Sequence, residues 1–307
     1  MRVEFRPAPP DSGIAFIRTD LDEPCRIPAI VDNRVEIPRR TTLAADGAAV
    51  EMVEHVMASL AGLQIDNCEV WVDRAEMPGC DGSARPFVDA LLSTERVAQP
   101  ALRETLVIAS TTRVGDDDCW VEASPEPYGT LDLHYQLDYG AHGAIGRQTI
   151  ELCLSPRSFC TELAAARTFI LQEEAEWLRQ QGLGERVTCS DLLVFDQRGP
   201  VGNQLRYADE CVRHKTLDLV GDLALAGCDI QGRITAFRSG HRLNAQLIQE
   251  LLLQDRFVRQ RCRVALRAGS AHQKPTPIFL GLTILGGSSD HGHHRCRARN
   301  RRSSSGH

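Results

Sequence analysis

Residues 51–63 (EMVEHVMASLAGL) and 209–227 (DECVRHKTLDLVGDLALAG) open alike and are followed alike. Each has a histidine near the start of a helix-forming stretch, His55 and His214, and each stretch ends in Ala-Gly. Each then leads into a β-forming segment, a glycine turn and a second helical segment. Such a repetition predicts a duplicated α/β unit. In the first copy Met52, Val53, Val56, Met57, Leu60 and Leu63 form a stripe at the 3.6-residue period, with Glu54 and His55 off its centre. The strand CEVWVD, a turn through Pro78, Gly79 and Asp81-Gly82, and the helix SARPFVDALL complete that copy. In the second copy the counterparts are RITAFR, the turn Ser239-Gly240 and an amphipathic helix beginning near His241.

Between the copies the chain changes character. TLVIA, CWVEA, LDLHYQLDY and TIELCL are rich in β-formers, and the third alternates apolar and polar residues as a half-buried antiparallel strand does. The stretch 162–184, ELAAARTFILQEEAEWLRQQGLG, reads as helical at its ends and closed by Gly182 and Gly184, with a strand-like DLLVFD after it. With 307 residues there is room for two modest domains. The polar, proline-containing TERVAQPALRET sets their boundary, giving domains over 1–100 and 101–265. Residues 266–307 end in GGSSDHGHHRCRARNRRSSSGH, which cannot supply a core and is expected to be a disordered or aberrant tail.

Composition removes several function classes. A net charge of -6 argues against duplex binding, which needs a basic stripe to replace phosphate counterions. The longest apolar runs, LVGDLALAG and LIQELLL, fall well short of the roughly 20 residues of a membrane span. The opening MRVEFRPAPPDSG lacks the apolar core of a secretory signal, so the expected location is the cytoplasm. Eleven cysteines include no C-x-x-C pair, which excludes a zinc knuckle or a thioredoxin-type dithiol. With no apolar stripe left unexplained, a monomer is expected.

His214, Asp218 and Asp222 stand at i, i+4 and i+8, along one face of the second long helix. Imidazole and carboxylate one turn apart can converge on one ion, although an exposed His/Asp pair on a solvated face gives the same spacing. Glu54-His55 adds a nitrogen ligand and a carboxylate from the other copy. Together they meet the needs of a catalytic zinc, three protein ligands and a nearby base, while periodicity alone reads Glu54 as a surface glutamate. His241 follows a strand and a tight turn, where a side chain can project into a cleft or simply sit on an exposed loop.

Five blocks carry a resemblance across most of residues 1–255: VEHVMASLAGLQIDN (53–67), EMPGCDGSARPFVDAL (76–91), ARTF (166–169), VRHKTLDLVGDLALAG (212–227) and SGHRLNAQL (239–247). In this order they resemble the UDP-3-O-acyl-N-acetylglucosamine deacetylases, zinc amidases that commit the cell to lipid A synthesis. The resemblance implies removal of the N-acetyl group, as acetate, from UDP-3-O-(3-hydroxyacyl)-N-acetylglucosamine. It implies Zn2+ on His55, His214 and Asp218, with Glu54 as general base. Thr168 would donate to the oxyanion, and His241, held by Asp222, would stabilise the oxyanion or protonate the amine. Lys215 would face the diphosphate.

The implied fold is a two-domain layered α/β (α+β) sandwich of duplicated βααβ units, with the active site at the domain junction. An insert at about 167–205 would form an apolar passage for the acyl chain, lined by some of Phe169, Ala175, Trp177 and Leu183, which could equally be ordinary core residues. Members of the family begin some twenty residues earlier with a further strand and a Gly-rich turn, so the first domain is expected to lack an edge strand. Two other readings remain open: a catalytically impaired UDP-acyl-sugar-binding homologue, and a different metal amidase on the same scaffold.

Overall fold

The computed structural model of the chain describes residues 1–141, 143–182, 188 and 191–270, with side chains described through Arg256. In the first part lie β1 (Val3–Pro7), β2 (Ile14–Arg18), β3 (Cys25–Pro28), β4 (Arg34–Val35), β5 (Thr42–Ala45), β6 (Ala48–Glu51), α1 (Glu54–Gly62), β7 (Cys68–Val72) and α2 (Arg85–Leu92). After the 93–104 connection come β8 (Thr105–Val107), β9 (Thr112–Gly115), β10 (Trp120–Ser124), β11 (Leu131–Asp138), β12 (Arg147–Cys153) and the short α3 (Pro156–Ser158). The chain continues through β13 (Phe169–Leu171), α4 (Gln172–Gln180), β14 (Leu193–Phe195), α5 (Glu210–Leu223), β15 (Asp229–Phe237) and α6 (His241–Ser270).

Among the described residues the strands make a four-stranded sheet ordered β1-β7-β2-β3, a six-stranded sheet ordered β12-β11-β15-β10-β9 with β8 pairing β15, a three-stranded sheet β4-β5-β6 and the pair β13-β14. Within the first, β7 lies between antiparallel β1 and parallel β2, and β2 pairs antiparallel with β3. In the second, β15 lies between antiparallel β10 and parallel β11, and β11 pairs antiparallel with β12. The orders β1-β7-β2-β3 and β10-β15-β11-β12 therefore correspond strand for strand in the order of the chain. The duplication expected from the two histidine-bearing helices is a property of the fold. Residues Met1–Arg261 pack as one compact unit, and Cys262–His307 form a second, of which only the helical backbone through Ser270 is described.

Side-chain alternation explains the sheets. Cys68, Val70 and Val72 of β7, and Ile230, Ile234 and Ala236 of β15, are buried at every second position, so each central strand turns one face to the core. Helix α5 packs on β11, β12 and α1. Both α1 and α5 are buried along nearly their whole length, as helices enclosed between layers must be.

Their crossing depends on Gly221, where a Cβ would lie 2.1 Å from the Glu54 carbonyl oxygen. The two Ala-Gly helix ends do different work: Gly227 adopts the left-handed conformation (φ 71°) that stops the helical chain after α5, whereas Gly62 lies under the Phe159 ring.

The stretch 162–184 is helical toward its ends, but its middle, Phe169–Leu171, is strand β13, paired parallel with β14. Of the two glycines expected to close it, Gly182 takes φ 74° and Gly184 lies outside the described residues. Of the expected tail, 266–307, residues 266–270 continue α6 and the rest lies outside the described residues. No helix among the described residues is long and apolar enough to cross a membrane.

Candidate metal centre and active site

The close crossing of α1 and α5 brings together residues more than 150 positions apart in the chain. His55 stands in the first turn of α1, and His214 and Asp218 stand one turn apart on α5. Their ligand atoms all lie within 4.8 Å of one another, and all three residues are buried. Asp218 Oδ1 is 3.6 Å from His55 Nε2 and 3.4 Å from His214 Nε2. The two imidazoles meet edge to face, with centroids 5.2 Å apart.

The group has the chemistry of a cation site. Among the described residues Asp218 Oδ1, which is buried, has no hydrogen-bond partner, an arrangement that is costly unless something positive occupies the space it faces. Its other oxygen accepts from Lys215 Nζ at 2.8 Å. Burial opposes the Asp218 charge, but His214, Lys215 and His55 outweigh it and hold the carboxyl well below the usual range. His214 donates Nδ1–H to the Ala166 carbonyl oxygen at 3.2 Å, which leaves the Nε2 lone pair facing Asp218 and His55. Burial pulls this ring down to about 4, so it is neutral and able to act as a ligand at pH 7. The donor set of two imidazoles and a carboxylate fits a divalent transition metal.

Glu54 precedes His55 and is likewise buried. Its Oε2 accepts the Thr41 main-chain N–H at 3.0 Å. Burial raises its pKa, against the pull of His241 and His55, which favours a carboxylate ready to take a proton.

His241, the first residue of α6, donates Nδ1–H to Asp222 Oδ2 at 2.9 Å, so that Nε2 is left for other chemistry. Asn244 Nδ2 also donates to Oδ2 at 2.7 Å, and the Thr41 hydroxyl donates to Oδ1 at 2.6 Å. Burial works against a charged His241 ring, but Asp222 dominates and raises it to about 9. A buried carboxylate of raised proton affinity and an imidazole hydrogen-bonded to Asp222 thus accompany the three candidate ligands.

The residues expected beside this centre divide. Thr168 is held by Gly82, whose carbonyl accepts its main-chain N–H at 2.7 Å and its hydroxyl at 3.0 Å. Lys215 is bonded to Asp218, and its pKa is raised by that carboxylate, Tyr135 and Asp222 against the effect of burial. Phe169 packs edge-on to His214, with centroids 6.2 Å apart, and also touches Tyr139 and Phe195. Ala175 is buried on α4, Trp177 is exposed, and Leu183 lies outside the described residues.

Three features have no signature in residue spacing. Thr41 bonds both to Glu54 and to Asp222, and the Ala166 carbonyl orients His214. Arg167 forms a buried ion pair with Glu210 at 2.8 Å and also donates to Asn203 and the Gln204 carbonyl, which fixes the loop that presents Ala166 and Thr168. The signal for the last was the ARTF block itself.

Comparison with known proteins gives this geometry a family. The sequence model of LpxC, UDP-3-O-acyl N-acetylglycosamine deacetylase, matches residues 1–253. The chain is 40% identical over 249 residues to the UDP-3-O-acyl-N-acetylglucosamine deacetylase of Myxococcus xanthus (strain DK1622), covering 81% of this chain and 78% of the relative. It is 37% identical over 279 residues to the protein of the same name from Anaeromyxobacter sp. (strain Fw109-5), covering 90% and 88%. Against that of Thioalkalivibrio sulfidiphilus (strain HL-EbGR7) the identity is 40% over 256 residues, covering 82% and 83%. On the match across both copies of its duplicated unit, the chain belongs to the UDP-3-O-acyl N-acetylglycosamine deacetylase family, LpxC.

Proposed function

We propose that this chain hydrolyses the acetamide of UDP-3-O-(3-hydroxyacyl)-N-acetylglucosamine, releasing acetate and the free amine, with zinc on His55, His214 and Asp218. The observation that carries the reading is the buried Asp218 Oδ1, without a hydrogen-bond partner among the described residues and facing two imidazoles, in a chain of this family. Zinc held there would make water acidic enough to attack at neutral pH and would polarise the acetamide carbonyl.

The chain's own residues do the rest. Glu54 accepts the proton of the attacking water as oxygen adds to the carbonyl carbon, and its raised proton affinity suits that task. His241, protonated on both nitrogens, faces the developing oxyanion with Nε2–H and supplies a proton to nitrogen as the C–N bond breaks. Asp222 holds Nδ1 and thereby the ring's orientation and charge.

Thr168 donates to the oxyanion once its hydroxyl turns from the Gly82 carbonyl. Lys215 serves Asp218 in the free protein and offers a point charge to the substrate's diphosphate. Phe169, beside His214, begins an apolar lining for the acyl chain to which Ala175 or Trp177 of α4 adds; Leu183, expected with them, lies outside the described residues. A nucleotide-linked substrate puts this work in the cytoplasm, and the chain acts as a monomer of two domains, 1–100 and 101–265.

The test is metal analysis with an acetate-release assay on the UDP-linked substrate. One zinc per chain is expected, with turnover. Glu54→Gln is expected to lower kcat by about 10²–10⁴-fold while keeping the metal. Unchanged turnover in that variant, or turnover in protein freed of metal, overturns the mechanism. Uptake of the UDP-sugar without acetate release would instead mark a binding homologue.

A further inference from the structure

We infer that Thr41 is a positioning residue that fixes the general base and the protonated imidazole relative to each other; the inference rests on the acid–base roles proposed above. Thr41 sits immediately before β5 and is 1% exposed. Its main-chain carbonyl accepts from Val53 N at 3.2 Å and its N–H donates to Glu54 Oε2 at 3.0 Å, so one peptide on either side of it grips the start of α1 and the base. Its hydroxyl crosses to the other copy of the repeat. Oγ1 donates to Asp222 Oδ1 at 2.6 Å and lies 3.1 Å from His241 Nδ1.

The division of labour on Asp222 makes that hydroxyl matter. Oδ2 takes two donors, His241 Nδ1 and Asn244 Nδ2, which leaves Oδ1 to be satisfied from elsewhere. Among the described residues Thr41 is the donor to Oδ1, so that with Oδ2 held by the other two donors it fixes the plane of the carboxylate and with it the tilt of the His241 ring. Asp222 is 1% exposed, so water does not readily replace the lost donor. Because one residue holds both groups, Glu54 by its main-chain N–H and Asp222 by its hydroxyl, the gap in which a substrate carbonyl must fit is set across a sequence separation of 181 residues by a single residue.

The test uses the full, metal-loaded chain. Thr41→Val keeps the side-chain volume and both main-chain bonds and removes the hydroxyl. It is expected to lower kcat about 10- to 100-fold, with KM and metal content unchanged, and Thr41→Ser is expected to restore kcat to within about threefold. In a His241→Ala background the valine change is expected to cost less than about twofold further, because the group it positions is gone.

A kcat left intact by Thr41→Val, or a loss that is as large in the His241→Ala background, overturns the inference. So does a loss fully accounted for by reduced metal content. If the valine variant does not fold, Thr41→Ala, which sets no methyl against the carboxylate, carries the same comparison. Acetate release surviving in both Glu54→Gln and His241→Ala would sink the acid–base reading itself; release abolished in those and undiminished in Thr41→Val would sink only the role of Thr41.

Discussion

The ring of His241 is pressed between burial, which favours its neutral form, and a carboxylate that favours its cation. Asp222 wins because its own charge is solvated by three donors and lies 2.9 Å away, which puts the ring at about 9. In metal-free protein the His241 ring resonances are therefore expected to titrate near 9, read by NMR. Asp222→Asn removes the largest charge that opposes burial and leaves only Glu54 and Asp218 against it, so the midpoint is expected to drop well below 9. The sign for stability follows: the native state binds more protons than the unfolded chain between about 6.5 and 9, so this contribution is whole below 6.5 and is lost as pH rises through 9. A ring that titrates near 6.5 in both proteins would remove Asp222 as its partner. Residues of this kind were legible in the sequence where chemistry and spacing coincide, as in His214 and Asp218 one helical turn apart. Thr41 was not, because a threonine beside a strand carries no signal until β5 and α5 are placed against each other.

At the scale of elements, the site is a consequence of how closely α1 and α5 approach. Two helices bearing ordinary side chains pack at 8–10 Å, and Gly221 removes the one Cβ that would collide with the Glu54 backbone. Gly221→Ala has no flexible neighbour to push aside, since the atoms met are main-chain O and C of Glu54 and N of Ala58. The helices must separate, which carries His55 away from His214 and Asp218. The expected outcome is a loss of stability of about 1–3 kcal/mol in denaturant titration, together with at least about tenfold weaker zinc binding. Unchanged zinc affinity would show that the crossing does not set the ligand geometry. The duplicated helix, strand, turn and helix could be read along the chain because each is local. The matching strand orders could not, since β7 and β15 choose these neighbours from strands 54 to 117 residues away. Strand β13 escaped for the opposite reason: three residues are too few to show a period against the helical pattern on either side.

Across the whole molecule, the three candidate ligands come from both copies of the duplicated unit, His55 from the first and His214 and Asp218 from the second. The cation that satisfies Asp218 Oδ1 would thus also clamp α1 to α5. Without it, the site holds a buried carboxylate oxygen with no hydrogen-bond partner among the described residues, close to two imidazoles of which His214 is neutral. Binding to the native state alone adds about 2.7 kcal/mol at a free metal concentration 100 times Kd, and for a unit of this size each kcal/mol moves Tm by about 2–4 °C. Stripping the metal with a chelator is therefore expected to lower Tm by about 5–11 °C relative to that condition, with zinc restoring it. Hydrogen exchange distinguishes a clamp from a local ligand: protection is expected to fall in both α1 and α5 on metal removal, while the outer strands β3, β9 and β12 keep theirs. Loss confined to α5, where two of the three ligands lie one turn apart, would mean that the ion stabilises one helix and that apolar packing alone joins the two halves of the core.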